Sequence, residues 1–157
     1  MKANIGIKPD FLSKVALSLS QILADEFILY TKTLKAHWCV TGPDFHSQHL
    51  FFEDLYKQSQ EIIDGLAERI RTLGHFPPAT LKEFLDLTHL TEKTSQKNDS
   101  LSYIKGLLAD HESILIHLRE NIDGYADSLH DEGSSDYITS LMETHEKIAW
   151  MLRAHFA

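Results

Sequence analysis

The chain has 157 residues and a formal net charge of −8 at neutral pH, enough length for one domain with a hydrophobic core. No apolar run approaches the roughly 20 residues that a membrane span needs, and the N-terminus lacks the apolar stretch of a secretory signal. A single cysteine, Cys39, excludes an intrachain disulfide and a cysteine-built zinc site, and it fits a reducing cytoplasm.

Residues 1–9 read as an N-terminal tail. A first helix is predicted over 10–39, where Leu12, Val15, Leu19, Ile22, Phe27, Tyr30 and Leu34 recur every three to five positions. Thr41-Gly42-Pro43-Asp44 breaks it. A second helix follows over 45–73, with Phe52, Leu55, Tyr56, Ile62, Leu66, Ile70 and Leu73 as its stripe. Gly74 is its stop signal, and Pro77-Pro78 forbids a quick restart. Residues 75–98 form a long connection with a short helix near 81–87 and a polar linker from Thr91 to Asn98. A third helix is predicted over 99–129, a loop over 130–135 with Ser134 or Ser135 as N-cap, and a fourth helix over 136–155. No strand alternation or internal repeat is visible. The pattern is all-α: a four-helix bundle with one long crossover carrying a short helix, the connectivity of ferritin-like folds.

The second helix carries chemistry away from its apolar stripe. At 100° per residue, with His49 at 0°, Glu53 falls at about 40°, Asp64 at about 60° and Glu68 at about 100°. His49/Glu53 and Asp64/Glu68 are each spaced i,i+4, so each pair can share one ion. The pair midpoints are roughly 22 Å apart along the helix, too far for one site within it. A second copy of the helix, antiparallel about a twofold axis near residues 58–59, sets Asp64 and Glu68 of one chain opposite His49 and Glu53 of the other. It creates two equivalent sites. His37 and His49 lie about equally far from the Gly42-Pro43 turn, so an antiparallel hairpin brings them level. Each site then holds His37, His49 and Glu53 from one chain and Asp64 and Glu68 from its partner. Two imidazoles with three carboxylates suit iron and give little advantage to soft ions.

The segment His37-Trp38-x-Val40-x-Gly42-Pro43-x-Phe45-x-x-x-His49-x-x-Phe52-Glu53-x-x-Tyr56, followed by Asp64-x-x-x-Glu68-Arg69-x-x-x-Leu73-Gly74, closely resembles the signature of the Dps proteins, DNA-binding proteins from starved cells. The resemblance covers nearly the whole chain. It implies a dodecameric shell built from twofold dimers, around an iron-storage cavity. It also implies inter-subunit di-iron ferroxidase centres at the five residues just named. There Fe(II) is oxidised, preferentially by hydrogen peroxide, and stored as ferric mineral, which protects against oxidative damage. Many members have Asp where this chain has Glu53. The larger ferritins use Glu-x-x-His motifs for an intrachain site, and none occurs here, so His111 and His117 are read as surface or packing residues.

Trp38 and His46 are candidates for the shell around the ligands, and Cys39 is read as a small buried hydrophobe. Charge is unevenly spread. Residues 110–146 carry ten acids against Arg119 alone. Within them Asp127, Asp131, Glu132 and Asp136 flank the last loop, where the resemblance implies threefold pores that admit cations. Asp131 and Asp136 are the favoured pore residues. Only Lys2 and Lys8 precede the first helix, so DNA binding is expected to be weak or absent. Three alternatives stay open: a DNA-binding protection protein with minor iron chemistry, a shell kept for surface interaction, and the same ligands holding zinc or manganese.

Overall fold

The computed structural model describes residues 3–156, which are helical apart from turns, loops and one isolated bridge between Thr41 and Asp99. The helices are α1 Pro9–Cys39, α2 Phe45–Thr72, α3 Leu81–Leu87, α4 Ser100–Asp123 and α5 Glu132–Arg153. α1 pairs with α2 and α4 with α5, and the long connection bearing α3 joins the two hairpins. This is the expected four-helix bundle with its crossover. Among the described residues no helix is long and apolar enough to cross a membrane.

Local chemistry accounts for most boundaries. Pro9 opens α1, where its missing N–H costs nothing, and Asp10 sits favourably in the first turn. α2 ends in a Schellman turn. The His75 N–H donates to the Ile70 carbonyl at 3.2 Å and the Gly74 N–H to that of Arg71 at 3.0 Å. Gly74 has φ +85°, and a Cβ there would stand 3.1 Å from Ala3, so this stop needs glycine. α3 starts with a reciprocal capping box between Thr80 and Glu83. Its Phe84 stacks on Phe27 of α1 at 4.2 Å, and that burial contributes about 2 kcal/mol. The buried Asp25 carboxylate accepts from the Thr88 hydroxyl and the His89 N–H, each at 2.6 Å, and so fastens the crossover to α1.

The end of α4 and the start of α5 differ from expectation. α4 stops at Asp123 and a π-helical turn follows, Gly124–Ser128, closed by the Leu129 N–H donating to the Gly124 carbonyl at 3.1 Å. The turn buries Tyr125, whose hydroxyl meets that of Ser18 at 2.6 Å. α5 begins four residues earlier than position 136, and Asp131 is its N-cap rather than Ser134 or Ser135. The Asp131 carboxylate accepts from the Ser134 N–H at 2.9 Å and from the Ser134 hydroxyl at 2.6 Å. The core is apolar along all four long helices: Leu19, Ile22, Leu29, Phe52, Leu66, Ile70, Ile104, Leu118, Ile148 and Leu152 are nearly inaccessible. Glu26, His111 and His145 are buried among them.

Candidate metal centre

The short turn between α1 and α2 puts His37, near the end of one helix, beside His49, near the start of the next. Their rings stack with centroids 3.8 Å apart. His37 Nδ1 lies 2.9 Å from the His49 carbonyl oxygen, and His49 Nδ1 lies 2.9 Å from the His37 carbonyl oxygen. A carbonyl only accepts, so each Nδ1 carries the proton and each Nε2 keeps a bare lone pair. This reciprocal pair of bonds fixes both tautomers and both ring planes, as the outer shell of a metal ligand does. Tyr56 packs edge-on against His37 at 5.1 Å, and Phe45 tilts against His49 at 5.2 Å.

Glu53 stands one turn beyond His49. Ligand-type atoms of His37, His49 and Glu53 all lie within 4.8 Å of one another, the one such group of three among the described residues. Lys57, one turn further on, pairs with the Glu53 carboxylate. Its hydrogen bond and its charge hold Glu53 below the ordinary glutamate range, so the carboxylate is in its ligating, ionised form. Glu53 in turn raises the Lys57 ammonium. A cation arriving here competes with Lys57 for the Glu53 carboxylate. Two imidazoles and one carboxylate suit borderline divalent ions.

Residues 17–157 match the ferritin-like domain family. A low temperature-induced protein of Nostoc sp. is 40% identical over 98% of this chain and 86% of its own length. DNA protection during starvation protein 2 of Bacillus anthracis is 36% identical over 87% of this chain and 92% of its own. The chain belongs to the Dps family. Among solved structures, the Dps protein of Vibrio cholerae O1, described as one of a broad superfamily of ferritin-like diiron-carboxylate proteins, superposes with a TM-score of 0.92. That match has 31% identity over 100% of this chain and 98% of the other.

In this Dps chain Asp64 and Glu68 are exposed on the far half of α2. Asp64 is eleven residues past Glu53, or roughly 16 Å along the helix, so no rearrangement within one chain brings them to the imidazoles. The next residue, Arg69, donates from its guanidinium to Asp131 at 2.9 Å and to the Ser134 hydroxyl at 3.1 Å. That latch holds the turn that carries Glu68. Trp38 is 70% exposed and His46 is exposed on the single subunit, and the aromatic neighbours of the imidazoles within it are Tyr56 and Phe45. Cys39 is partly buried beside Tyr103, whose phenol is pushed up by burial and then by Cys39.

The acidic loop divides in two. Asp127 and Asp136 are exposed. Asp131 is 2% exposed, capping α5 and paired with Arg69, so the expectation that it lines a pore gives way to a structural role. Of the two readings of His111, surface or packing, the structure takes the second: the residue is buried and its ring meets that of His145. Sequence reading missed this group and Asp25. The available signal was the pair Asp25-Glu26, set between Leu23-Ala24 and Phe27-Ile28 on a helix whose apolar stripe runs through it.

Proposed function

We propose that the chain is an iron-oxidising and iron-storing mini-ferritin whose di-iron centres form between subunits. His37, His49 and Glu53 come from one subunit, and Asp64 and Glu68 from its twofold partner. The observation that carries this reading is the His37–His49 pair, locked with both Nε2 lone pairs free and Glu53 within reach. The exposed carboxylates on the far half of the same helix are its natural complement across an antiparallel contact. Iron is the substrate. Each of two Fe(II) ions gives up one electron, the O–O bond of hydrogen peroxide breaks, and with two protons two waters form. The centre acts by holding two irons close enough for a two-electron oxidant. Assembly into a dodecamer built from such dimers is supported by large apolar side chains left bare on a single subunit, among them Phe76 at 83%, Leu81 at 68% and Trp150 at 63% exposed. The work of such a shell is cytoplasmic.

The direct test is Fe(II) oxidation with stoichiometric peroxide. Replacing His37 and His49 by alanine is expected to slow it by roughly 100-fold or more, because the ligands that first bind the ion are gone. Wild-type rates in the double variant would remove the oxidase reading.

Asp127 and Asp136 are proposed to draw Fe(II) to pores in the shell. Changing both to Asn is expected to lower the initial uptake rate several-fold at low salt and little at high salt, where screening already weakens steering. Equal uptake at low salt would exclude them. DNA binding is proposed to be weak or absent, since phosphate contacts have little to set against a charge of −8 per subunit. A gel shift near 150 mM salt is expected to show no sub-micromolar complex. Such a complex would favour the rival reading, a DNA-binding protection protein with minor iron chemistry.

A further inference from the structure

The bundle interior holds ligand-type side chains remote from the centre just described. Glu26 of α1 and His145 of α5 are both wholly inaccessible, and His111 of α4 is 3% exposed. His145 Nε2 lies 2.7 Å from Glu26 Oε1. His145 Nδ1 lies 2.8 Å from His111 Nδ1. Yet Glu26 Oε1, Glu26 Oε2 and His145 Nε2 are buried atoms that make no aligned hydrogen bond with any described residue. The 2.7 Å contact is at ion-pair distance, but its geometry does not aim a ring N–H at the oxygen. With the His145 ring neutral and its proton on Nδ1, it sets two acceptor atoms side by side.

Acceptors brought together in a low-dielectric core repel unless something positive lies between them. Two ligands with bonds of about 2.0–2.1 Å stand about 2.9 Å apart at a right angle and about 3.3 Å apart at the tetrahedral angle, so the two atoms need to part by only a few tenths of an ångström to take an ion. The imidazole pair points the same way. Two Nδ1 atoms at hydrogen-bond distance share one proton. With His145 as the donor, His111 accepts, and His145 Nε2 is left as a bare lone pair beside the carboxylate. A second ring that fixes the tautomer of the first is the usual outer shell of a ligating histidine.

We propose that Glu26, through both carboxylate oxygens, and His145, through Nε2, form a cation site inside each subunit. It takes one borderline divalent ion of the zinc, cobalt or ferrous class, completed by water. His111 is a positioning residue. The donor set is carboxylate plus imidazole with no thiolate, which disfavours soft ions. Glu26 precedes His37 by eleven residues on α1, roughly 16 Å, so the two sites share no ligand. An open groove of about 370 Å³ between α2 and α5 is lined by Tyr137, Leu141 and Thr144, but neither Glu26 nor His145 reaches it, so an ion enters by local opening of the bundle. The site stands independently of the oxidase reading and needs no partner subunit.

The test uses Co(II) at neutral pH on the assembled protein carrying His37→Ala and His49→Ala, which removes the imidazoles of the interfacial centre. One Co(II) per subunit is expected to remain, with visible ligand-field bands. Adding Glu26→Gln is expected to weaken it by at least about tenfold, and so is His111→Leu. His111→Gln, whose amide oxygen still accepts from His145, is expected to keep it. No retained Co(II) in the His37/His49 variant, or retention undiminished by Glu26→Gln, overturns the proposal. Because a core substitution can prevent folding, anomalous scattering at the cobalt edge from Co(II)-soaked wild-type crystals gives an answer without one. A peak between Glu26 and His145 supports the site. A peak confined to His37, His49 and Glu53 refutes it while leaving the oxidase reading intact.

Discussion

Two inactive variants are expected to restore activity when their subunits are mixed. One variant carries His37→Ala and His49→Ala, and the other carries Asp64→Asn and Glu68→Gln. In a site shared across a twofold axis, a dimer with one subunit of each kind has one complete centre and one that lacks every altered ligand. Random reassembly of equal amounts makes half the dimers mixed, and half the centres in those are whole. About a quarter of wild-type peroxide-driven Fe(II) oxidation is therefore expected, while each variant alone retains roughly 1% or less. Dissociation in mild denaturant and reassembly, with wild type treated in parallel, sets the reference. A centre complete within one chain gives no rescue, because every subunit in the mixture is then defective. The experiment thus separates the location of the centre from its existence. The single-chain geometry already sets the terms: His37, His49 and Glu53 converge, and Asp64 and Glu68 stand a long way down the same helix.

The ligand cluster was legible because each of its causes is local. Glu53 follows His49 by one helical turn, and the turn at Gly42-Pro43 sets the hairpin register that brings in His37. Two facts needed coordinates. One is the exchange of Nδ1–H bonds between the two histidines, which depends on where two backbone carbonyls fall. The other is Lys57, one turn beyond Glu53, which is the counter-ion of a ligand. Helix starts were read well where Pro or a capping motif marks them. The last loop was misread because Asp131, Ser134 and Ser135 are all good caps by type. What selects Asp131 is Arg69, 62 residues earlier in the chain, and no local pattern reports that partner. The buried Glu26–His145–His111 group was hidden for a related reason. Its members come from three helices, at spacings that match no single-helix motif.

Asp131→Ala is expected to be the most damaging of the acidic-loop substitutions for stability, at about 3 kcal/mol. Two losses combine. The N-cap of α5 disappears, leaving the Ser134 N–H without its acceptor. The Arg69 guanidinium also keeps only the Ser134 hydroxyl, in a setting where its side chain is mostly covered. The guanidinium also packs over Gly133, where an added Cβ would stand 2.9 Å from it. Asp131→Asn separates the two terms. Asparagine caps nearly as well but carries no charge, so the asparagine variant is expected to fall between wild type and alanine. Asp136→Asn, exposed and within the helix, is expected to change stability by less than about 0.5 kcal/mol. Urea unfolding of the three variants at one fixed subunit concentration measures all of this, fixed because assembly contributes to the apparent stability. Arg69 follows Glu68 directly, so freeing it also loosens the turn that presents that carboxylate. Below the unfolding transition the alanine variant is expected to lose Fe(II) oxidation rate as well, and Asp136→Asn is not. Equal stability of Asp131→Ala and wild type would mean that the carboxylate is not spent inside the subunit, and would return it to the pore.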